Sequence, residues 1–408
     1  MVWSLPMPLW RWLALAVLVC TPMLSRADGF AWDIEGLPTH SLGRQIQLLR
    51  DYGGTWTVVD AQQRFADLNP PAPRDEVLSL GIGSPTVWLR LPLHNAQPES
   101  VRRHLLLGTT WLDSADVYLV RAGQVMRKFH LGDEGPYAYG VVPGFGFTWE
   151  LDLPPQRSEL LVRVQSMDPL VLPLQLLDAQ ALAEQRDRVQ YSYELMFGAL
   201  FALMLYNLAL FLVVRNPLHG RYALYVGSML VMCIAYTGKG LSAWWPDSPG
   251  FQRYFILCTM VAFNMAGLNF AVHLLRFRQQ HPHWGRALLA AQWATAGVMG
   301  YLVLADWHLW AVWWAFLVFL ACMLILFAFG VWALRTRQPY GKIFFAAVSI
   351  SMAGAASAWL SVVGVLGYTT LQFRAMEAGF LLDAALLAIA LGRTTAARPE
   401  QAVGTPHP

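Results

Sequence analysis

Long apolar runs fill the second half of the chain, from Tyr191 to Leu391. Each run is about 20 residues long, the length that an α-helix needs to cross the hydrocarbon core of a membrane. The pattern predicts an all-α bundle of seven spans, at 192–214, 222–240, 252–275, 287–305, 309–333, 343–366 and 374–392. Because this number is odd, we expect the two ends of the bundle on opposite sides of the membrane.

The polar stretch before the first span consists of short alternating segments. In one of them, Val87, Leu89, Leu91 and Leu93 share one face. This period of two is typical of a half-buried β-strand. About eight such segments, separated by turns rich in glycine and proline, predict an all-β, jelly-roll-like sandwich. Thr55–Val59 is among the predicted strands, and no helix is predicted between them.

The N-terminus carries the signals of an exported protein. Arg11 precedes a short apolar core, Trp12 to Cys20, and a small-residue cleavage site ends at Ala27. These features predict a signal peptide, because the core is too short to span a bilayer; an uncleaved anchor is the alternative. The predicted parts are a signal peptide at 1–27, an exported all-β domain at 28–182, a seven-helix transmembrane domain at 186–393 and a short tail at 394–408.

The basic residues indicate the orientation of the chain. The loops and tail expected inside carry ten lysines and arginines, against three in the loops expected outside. The inside residues are Arg215, Arg221, Arg276, Arg278, Arg286, Arg335, Arg337, Lys342, Arg393 and Arg398. Because cytoplasmic loops are enriched in lysine and arginine, the sequence predicts a multi-pass protein with its N-terminal domain outside and its C-terminus in the cytoplasm.

Composition narrows the classes of function. The chain is 56% hydrophobic and 13% charged with a net charge of +3, so we expect a lipid bilayer and no nucleic acid as its partner. The cysteines are Cys20, Cys233, Cys258 and Cys322, which leaves the exported domain without a disulfide. We recognise no paired carboxylates, nucleophile elbow or metal-ligand cluster, and therefore predict no enzyme, no catalytic residue, no metal and no cofactor.

Aromatic residues of the exported domain are the candidates for ligand binding. Large rings stack on sugars and other small ligands, and a neighbouring arginine supplies hydrogen bonds. The candidates are Trp88, Arg90, Trp111, Tyr137, Tyr139 and Trp149. The alternative is that some of these rings only pack in the core or near the membrane.

Polar residues inside the spans are candidates for signal coupling, because burying them in a membrane is costly. They are Asn207, Asn269, His273, Glu377 and Asp383. Asn269 and His273 are four residues apart and share a helix face, whereas Glu377 and Asp383 are six apart and do not. The alternative for the asparagines is a hydrogen bond that only holds two helices together.

Several segments together resemble a known family. In the exported part they are Val87-Trp-Leu-Arg-Leu91, Asp113-Ser-Ala-Asp-Val-Tyr-Leu119, Leu131-Gly-Asp133 and Leu160-Leu-Val-Arg-Val164. In the membrane part they are Gly198 to Leu208, then Gly379, Asp383 and Arg393. Their order resembles the bacterial seven-transmembrane receptors with diverse intracellular signalling modules. The family usually has Glu where this chain has Asp383.

The resemblance implies a receptor of the bacterial inner membrane with a periplasmic sensor domain. Its ligand is expected to be small and carbohydrate-like, and its signal to pass through the bundle. Family members usually continue into an output domain such as a diguanylate cyclase or histidine kinase, which does not follow Arg393 here. We therefore expect a separate cytoplasmic signalling protein as partner; a longer natural chain or lost signalling are alternatives. A homodimer is a further expected partner, since transmembrane signalling often uses dimers.

Two other classes of function stay open at this point. An envelope accessory or assembly subunit would use the exported domain to dock another protein. A transporter would show inverted repeats and broken helices at mid-membrane, and the sequence shows neither. The receptor is our first interpretation, and the accessory subunit is the alternative.

Overall fold

The computed structural model describes residues 30–132, 141–142, 146–245, 248–362 and 364–396. The predicted signal peptide, and the tail beyond Ala396, lie outside the described residues. A sheet-rich domain ends at Leu177, and a helical bundle begins at Ala179. The predicted fold class, an all-β domain followed by seven apolar helices, is confirmed.

Two main sheets form the exported domain. The strands are β1 (Trp32–Asp33), β2 (Gln47–Asp51), β3 (Leu78–Ser79), β4 (Thr86–Asn95), β5 (Val101–Leu107), β6 (Ser114–Arg121), β7 (Gln124–Gly132), β8 (Val141–Val142), β9 (Gly146–Leu153), β10 (Gln156–Gln165), β11 (Val171–Leu172) and β12 (Leu174–Leu177). The larger sheet has the order β1-β4-β10-β6-β7, with β2 also paired to β4, and the smaller sheet has the order β12-β5-β9-β8. A short β11-β3 pair lies apart from both.

The core of this domain lies between the two sheets. In the register of the larger sheet, Leu91 of β4 lies beside Leu160 of β10, and Val162 of β10 lies beside Val117 of β6. Leucines and valines of the larger sheet share one buried cluster with Leu105 and other residues of the smaller sheet. The predicted face of Val87, Leu89, Leu91 and Leu93 is therefore confirmed as the sandwich core.

A helix, α1 (Val58–Leu68), covers the outer face of the larger sheet and corrects the prediction of a strand at Thr55–Val59. Its start is fixed by a capping box in which the Thr57 side chain accepts from the Asp60 backbone N–H and the Asp60 carboxylate accepts from that of Thr57. Phe65 and Ala61 of α1 pack with Trp88 on that face. The sheet is thus buried on both sides here, which the alternation of β4 did not indicate.

Nine helices follow within the described residues, and seven of them are long and apolar enough to cross a membrane. They are α2 (Ala179–Val214), α3 (Pro217–Tyr236), α4 (Lys239–Ala243), α5 (Pro249–Leu274), α6 (Phe277–Gln280), α7 (Pro282–Leu304), α8 (His308–Arg335), α9 (Gly341–Val362) and α10 (Thr370–Ala396). The candidate spans are α2, α3, α5, α7, α8, α9 and α10, in agreement with the predicted number.

The first span differs most from its predicted bounds. Its apolar run begins near residue 192, but α2 begins at Ala179 and has 36 residues. The Asp178 side chain caps the helix by accepting from the Ala181 N–H at 2.7 Å. Hydropathy detects only the apolar part of such a helix, whereas the backbone continues through its polar first turns. The exported domain is therefore connected to the bundle by an unbroken helix.

Candidate functional site

The predicted ligand-binding residues do not share one face. Trp88 is 0% exposed and stacks on Tyr118, so its ring belongs to the interior beneath α1. Trp111 lies at the membrane end of the domain, and Trp149 packs against the sandwich core. Tyr137 and Tyr139 lie outside the described residues.

Arg90 does line an open groove on the larger sheet. The groove has a volume of about 770 Å³. The Arg90 guanidinium pairs with the Glu159 carboxylate at 2.7 Å and donates to the Gln47 side-chain oxygen at 3.4 Å. Trp32 contributes an aromatic wall, and Asn69 accepts from the Gln47 amide. Sequence analysis did not identify this set beyond Arg90, because its members come from segments far apart in the chain.

The exported domain and the bundle meet at a buried junction. Thr110 follows β5 and its hydroxyl donates to the backbone carbonyl of Tyr236 at 2.6 Å, at the outer end of α3. The Trp111 ring lies 6.0 Å from that of Phe373 at the start of α10. The Ser79 hydroxyl on β3 donates to the carbonyl of Val362, which ends α9. Three different helices thus contact the exported domain directly.

A cavity of about 290 Å³ lies within this junction. Its walls combine strand-end residues of the exported domain with Tyr236, Tyr368 and Arg374 of the bundle. Tyr368 lies in the connection before α10, where burial, with a smaller contribution from the Glu377 carboxylate, raises the pKa of its phenol. The Tyr368 hydroxyl therefore stays neutral over the physiological range of pH.

Glu377 lies just below the junction and is 6% exposed. Its Oε1 atom accepts from the Tyr236 hydroxyl at 2.6 Å and from the Tyr193 hydroxyl at 3.0 Å. The Arg374 guanidinium lies 3.8 Å from the other carboxylate oxygen and donates to the Ser192 hydroxyl at 2.5 Å. The carboxylate is therefore held by side chains of α2, α3 and α10 together.

Asp383 lies deeper in the bundle and is 2% exposed. Its Oδ2 atom accepts from the Tyr225 hydroxyl on α3 at 2.5 Å. Beside it, the Tyr222 hydroxyl donates to the backbone carbonyl of Ala384 at 2.5 Å. Sequence analysis singled out the carboxylate, but it did not identify the two tyrosines that face α10.

The remaining polar residues of the spans form short-range contacts. Asn207 on α2 is 2% exposed, and its side-chain oxygen lies 2.9 Å from Nδ1 of His219 on α3. The Nδ1 atom of His273 lies 2.8 Å from the backbone carbonyl oxygen of Asn269, one turn earlier on α5. The predicted pair on α5 is therefore a contact within one helix, whereas Asn207 links two helices.

Helix α3 is common to the interhelical contacts of Glu377, Asp383 and Asn207. Tyr225 and Tyr236 are 11 residues apart, which is about three turns of an α-helix, so both face α10. This spacing is the signal in the sequence that could have revealed the tyrosines. A shift of α3 along or about its axis would alter the contacts of Thr110, Glu377 and Asp383 at once.

Comparison with known families agrees with this architecture. A family model described as 7TM diverse intracellular signalling matches residues 190–393, which cover the bundle. A second model, described as 7TMR-DISM extracellular 2, matches residues 43–178, which cover most of the sandwich. No curated protein matches the chain. The chain therefore belongs to the 7TMR-DISM family and is a membrane receptor with an extracellular domain before a seven-helix bundle.

Proposed function

We propose that this receptor binds a small carbohydrate-like ligand in the Arg90 groove and transmits binding through α3 to the inner face of the bundle. The observation that carries the proposal is the continuous contact from the exported domain to a buried carboxylate. Thr110 bonds to Tyr236, and Tyr236 bonds to Glu377. Because ligands act by favouring one of two packings, a contact of this kind gives the exported domain influence over the bundle.

The groove has the chemistry that a sugar requires. A sugar offers several hydroxyl groups and an apolar ring face, and it needs hydrogen-bonding side chains next to an aromatic surface. Arg90, Glu159 and Gln47 supply the polar groups, and Trp32 supplies the ring. In this proposal Arg90 is a ligand-binding residue. The surroundings of Trp88, Trp111 and Trp149 favour packing roles for their rings.

The output is proposed to lie on the cytoplasmic side of a bacterial inner membrane. The basic loops after α2, α5 and α8 support this orientation, since such loops stay inside. Helix α10 carries Asp383 and ends beyond Arg393, on the side away from the exported domain. We propose that its end and the inner loops report to a separate signalling protein, and that two copies of the receptor act together.

Substitution of Arg90 tests the groove. The full-length protein in lipid nanodiscs would be screened against a panel of mono- and oligosaccharides by thermal unfolding, since a ligand of the folded state raises the melting temperature with dose. Arg90→Ala is expected to weaken binding of a sugar found in this way at least tenfold, as loss of a hydrogen bond from a charged group costs about 1.5–3 kcal/mol.

The matched control is Arg102→Ala. Arg102 also pairs with a carboxylate, Glu150 at 3.0 Å, but it lies on the smaller sheet, away from the groove. Its replacement should leave the dose response unchanged. Equal weakening by both substitutions would contradict the groove as the binding site. A folded protein that responds to no sugar, but that holds an envelope protein through the exported domain, would support the accessory-subunit alternative.

A further inference from the structure

Three potential metal ligands converge at the junction, and they are not among the residues that line the groove. Asp113 lies between β5 and β6, Asp168 lies between β10 and β11, and His308 is the first residue of α8. One potential ligand atom from each residue lies within 4.8 Å of the others. The exported domain thus supplies two carboxylates, and the fifth span supplies one imidazole.

The three side chains are held in place by their surroundings. His308 Nε2 lies 3.1 Å from Asp168 Oδ2, and the ring meets Tyr254 edge-on at 5.4 Å. The Asp113 Oδ2 atom accepts from the Met167 backbone N–H at 2.7 Å, and Asp168 N–H donates to the Ser166 hydroxyl at 3.2 Å. A ligand set that is already oriented loses little entropy when it binds an ion.

His308 is almost fully buried and presents one ring nitrogen to Asp168. The residue is 3% exposed, its Nε2 atom faces the Asp168 carboxylate, and its Nδ1 atom has no hydrogen-bond partner among the described residues. Imidazole nitrogen is the commonest protein ligand of metal ions.

The Asp168 carboxylate is buried beside the same ring. Asp168 is 7% exposed, and no lysine or arginine in the described part of the chain forms an ion pair with it. A buried carboxylate is costly unless it is paired or coordinates a metal. A divalent cation held by Asp168 and His308 would be such a coordination partner.

We propose that Asp113, Asp168 and His308 bind a divalent transition-metal ion, of which Zn²⁺ fits best. Zinc takes imidazole nitrogen and carboxylate oxygen at about 2.0–2.2 Å, and a small inward movement of the three ligand atoms reaches this geometry. Water completes the fourth position from the neighbouring cavity of about 150 Å³, which Asp168 helps to line. Sequence analysis predicted no metal because these residues are separated by 55 and 140 positions.

Such an ion joins the exported domain to the start of α8. The exported domain already contacts α8 through Asp168 and His308, and the ion would strengthen this contact in a way that depends on metal supply. Occupancy would therefore restrain the exported domain on the bundle. This inference concerns ion binding and does not rest on the sugar groove or on the output partner.

Direct metal binding tests the proposal. The full-length protein, purified without a histidine tag and stripped with a chelator, would be titrated with Zn²⁺ in nanodiscs by calorimetry. We expect saturable binding of one ion per chain and a rise in melting temperature. Asp168→Asn and His308→Gln should each weaken binding at least tenfold. Co²⁺ takes the same donors and should give a visible absorption spectrum with the wild type but not with these two variants.

The matched control is His130→Gln. His130 Nδ1 also lies close to a carboxylate oxygen, that of Asp116 at 2.7 Å, but Lys128 and Arg163 approach the same carboxylate. This variant should retain wild-type Zn²⁺ binding. Absence of saturable binding and of a Co²⁺ spectrum in the wild type would overturn the proposal, whether or not the variants fold. Equal affinity in all three variants would overturn it as well.

Discussion

Tyrosine hydroxyls of α2 and α3 donate hydrogen bonds to the two buried carboxylates of α10. Glu377 has two tyrosine donors and a nearby arginine, whereas Asp383 receives its described side-chain hydrogen bond from Tyr225. Burial of a carboxylate in a bundle is costly unless hydrogen bonds compensate. We therefore regard each tyrosine as a requirement for the carboxylate that it contacts.

Removal of the Tyr225 hydroxyl tests this dependence. Tyr225→Phe leaves the buried Asp383 carboxyl without this donor, and the expected loss in unfolding free energy is about 1–3 kcal/mol. Tyr222→Phe is the matched control, because it lies one turn earlier and donates to the Ala384 carbonyl rather than to a side chain. We expect a smaller loss there. Equal losses, measured as unfolding in the same bilayer mimetic, would contradict a special role for the carboxylate contact.

The sequence predicted the carboxylate of each hydrogen bond but not the tyrosine that donates to it. Glu377 and Asp383 are conspicuous because acidic residues are rare in membrane spans. Tyr225 and Tyr236 are not, since aromatic residues occur throughout these helices. The two tyrosines are three helical turns apart on α3 and therefore share one face. That spacing indicates donors to the α10 carboxylates only when α3 and α10 are known to be neighbours.

At the scale of elements, the turn between α3 and α4 fits the exported domain closely. Gly238 has φ of +76°, and a Cβ atom added there would lie 2.6 Å from Cγ2 of Thr110. Only glycine combines this backbone conformation with so close an approach. The outer end of α3 is thus matched in shape to the loop after β5.

Alanine at Gly238 should disturb the junction. The left-handed backbone costs about 1–2 kcal/mol for a residue with a side chain, and the clash with Thr110 adds to this cost. Gly123→Ala is the matched control, because Gly123 has φ of +80° and open space around its Cβ position. We expect Gly238→Ala to lower the melting temperature more and to speed hydrogen exchange of the loop after β5. Equal effects of the two substitutions would contradict a close fit between Gly238 and Thr110.

The local sequence pattern predicted most strands and helices, but it did not predict α1 or the burial of the second face of β4. The alternation of β4 correctly gave the sandwich core through Val87 and its neighbours, yet it suggested an open opposite face for Trp88. Helix α1 covers that face, and its first residues lie in the segment Thr55–Val59 that the sequence predicts as a strand. The capping pair Thr57 and Asp60 was the available signal, but the β-branched residues around it favoured a strand.

At the scale of the whole molecule, order and topology were the most predictable features. Seven apolar runs required no tertiary information, and the seven long helices and the family match over the bundle agree with their number. The groove, the junction and the Asp113–Asp168–His308 cluster each combine residues from distant segments. Such sets depend on how strands and helices meet, which a single sequence does not specify.

The central claim is that the exported domain is energetically coupled to the buried carboxylate of α10 through α3. A double-mutant cycle between Thr110→Val and Glu377→Gln measures this coupling from unfolding free energies of the full-length protein. Residues within one hydrogen-bonded network typically deviate from additivity by about 0.5–3 kcal/mol. The control cycle pairs Thr110→Val with Asn207→Ala, which lies near the opposite end of α3.

We predict a coupling of at least about 0.5 kcal/mol in the first cycle and additivity in the control cycle. Additivity in both cycles would contradict the account, because the exported domain would then rest on the bundle without influencing its polar core.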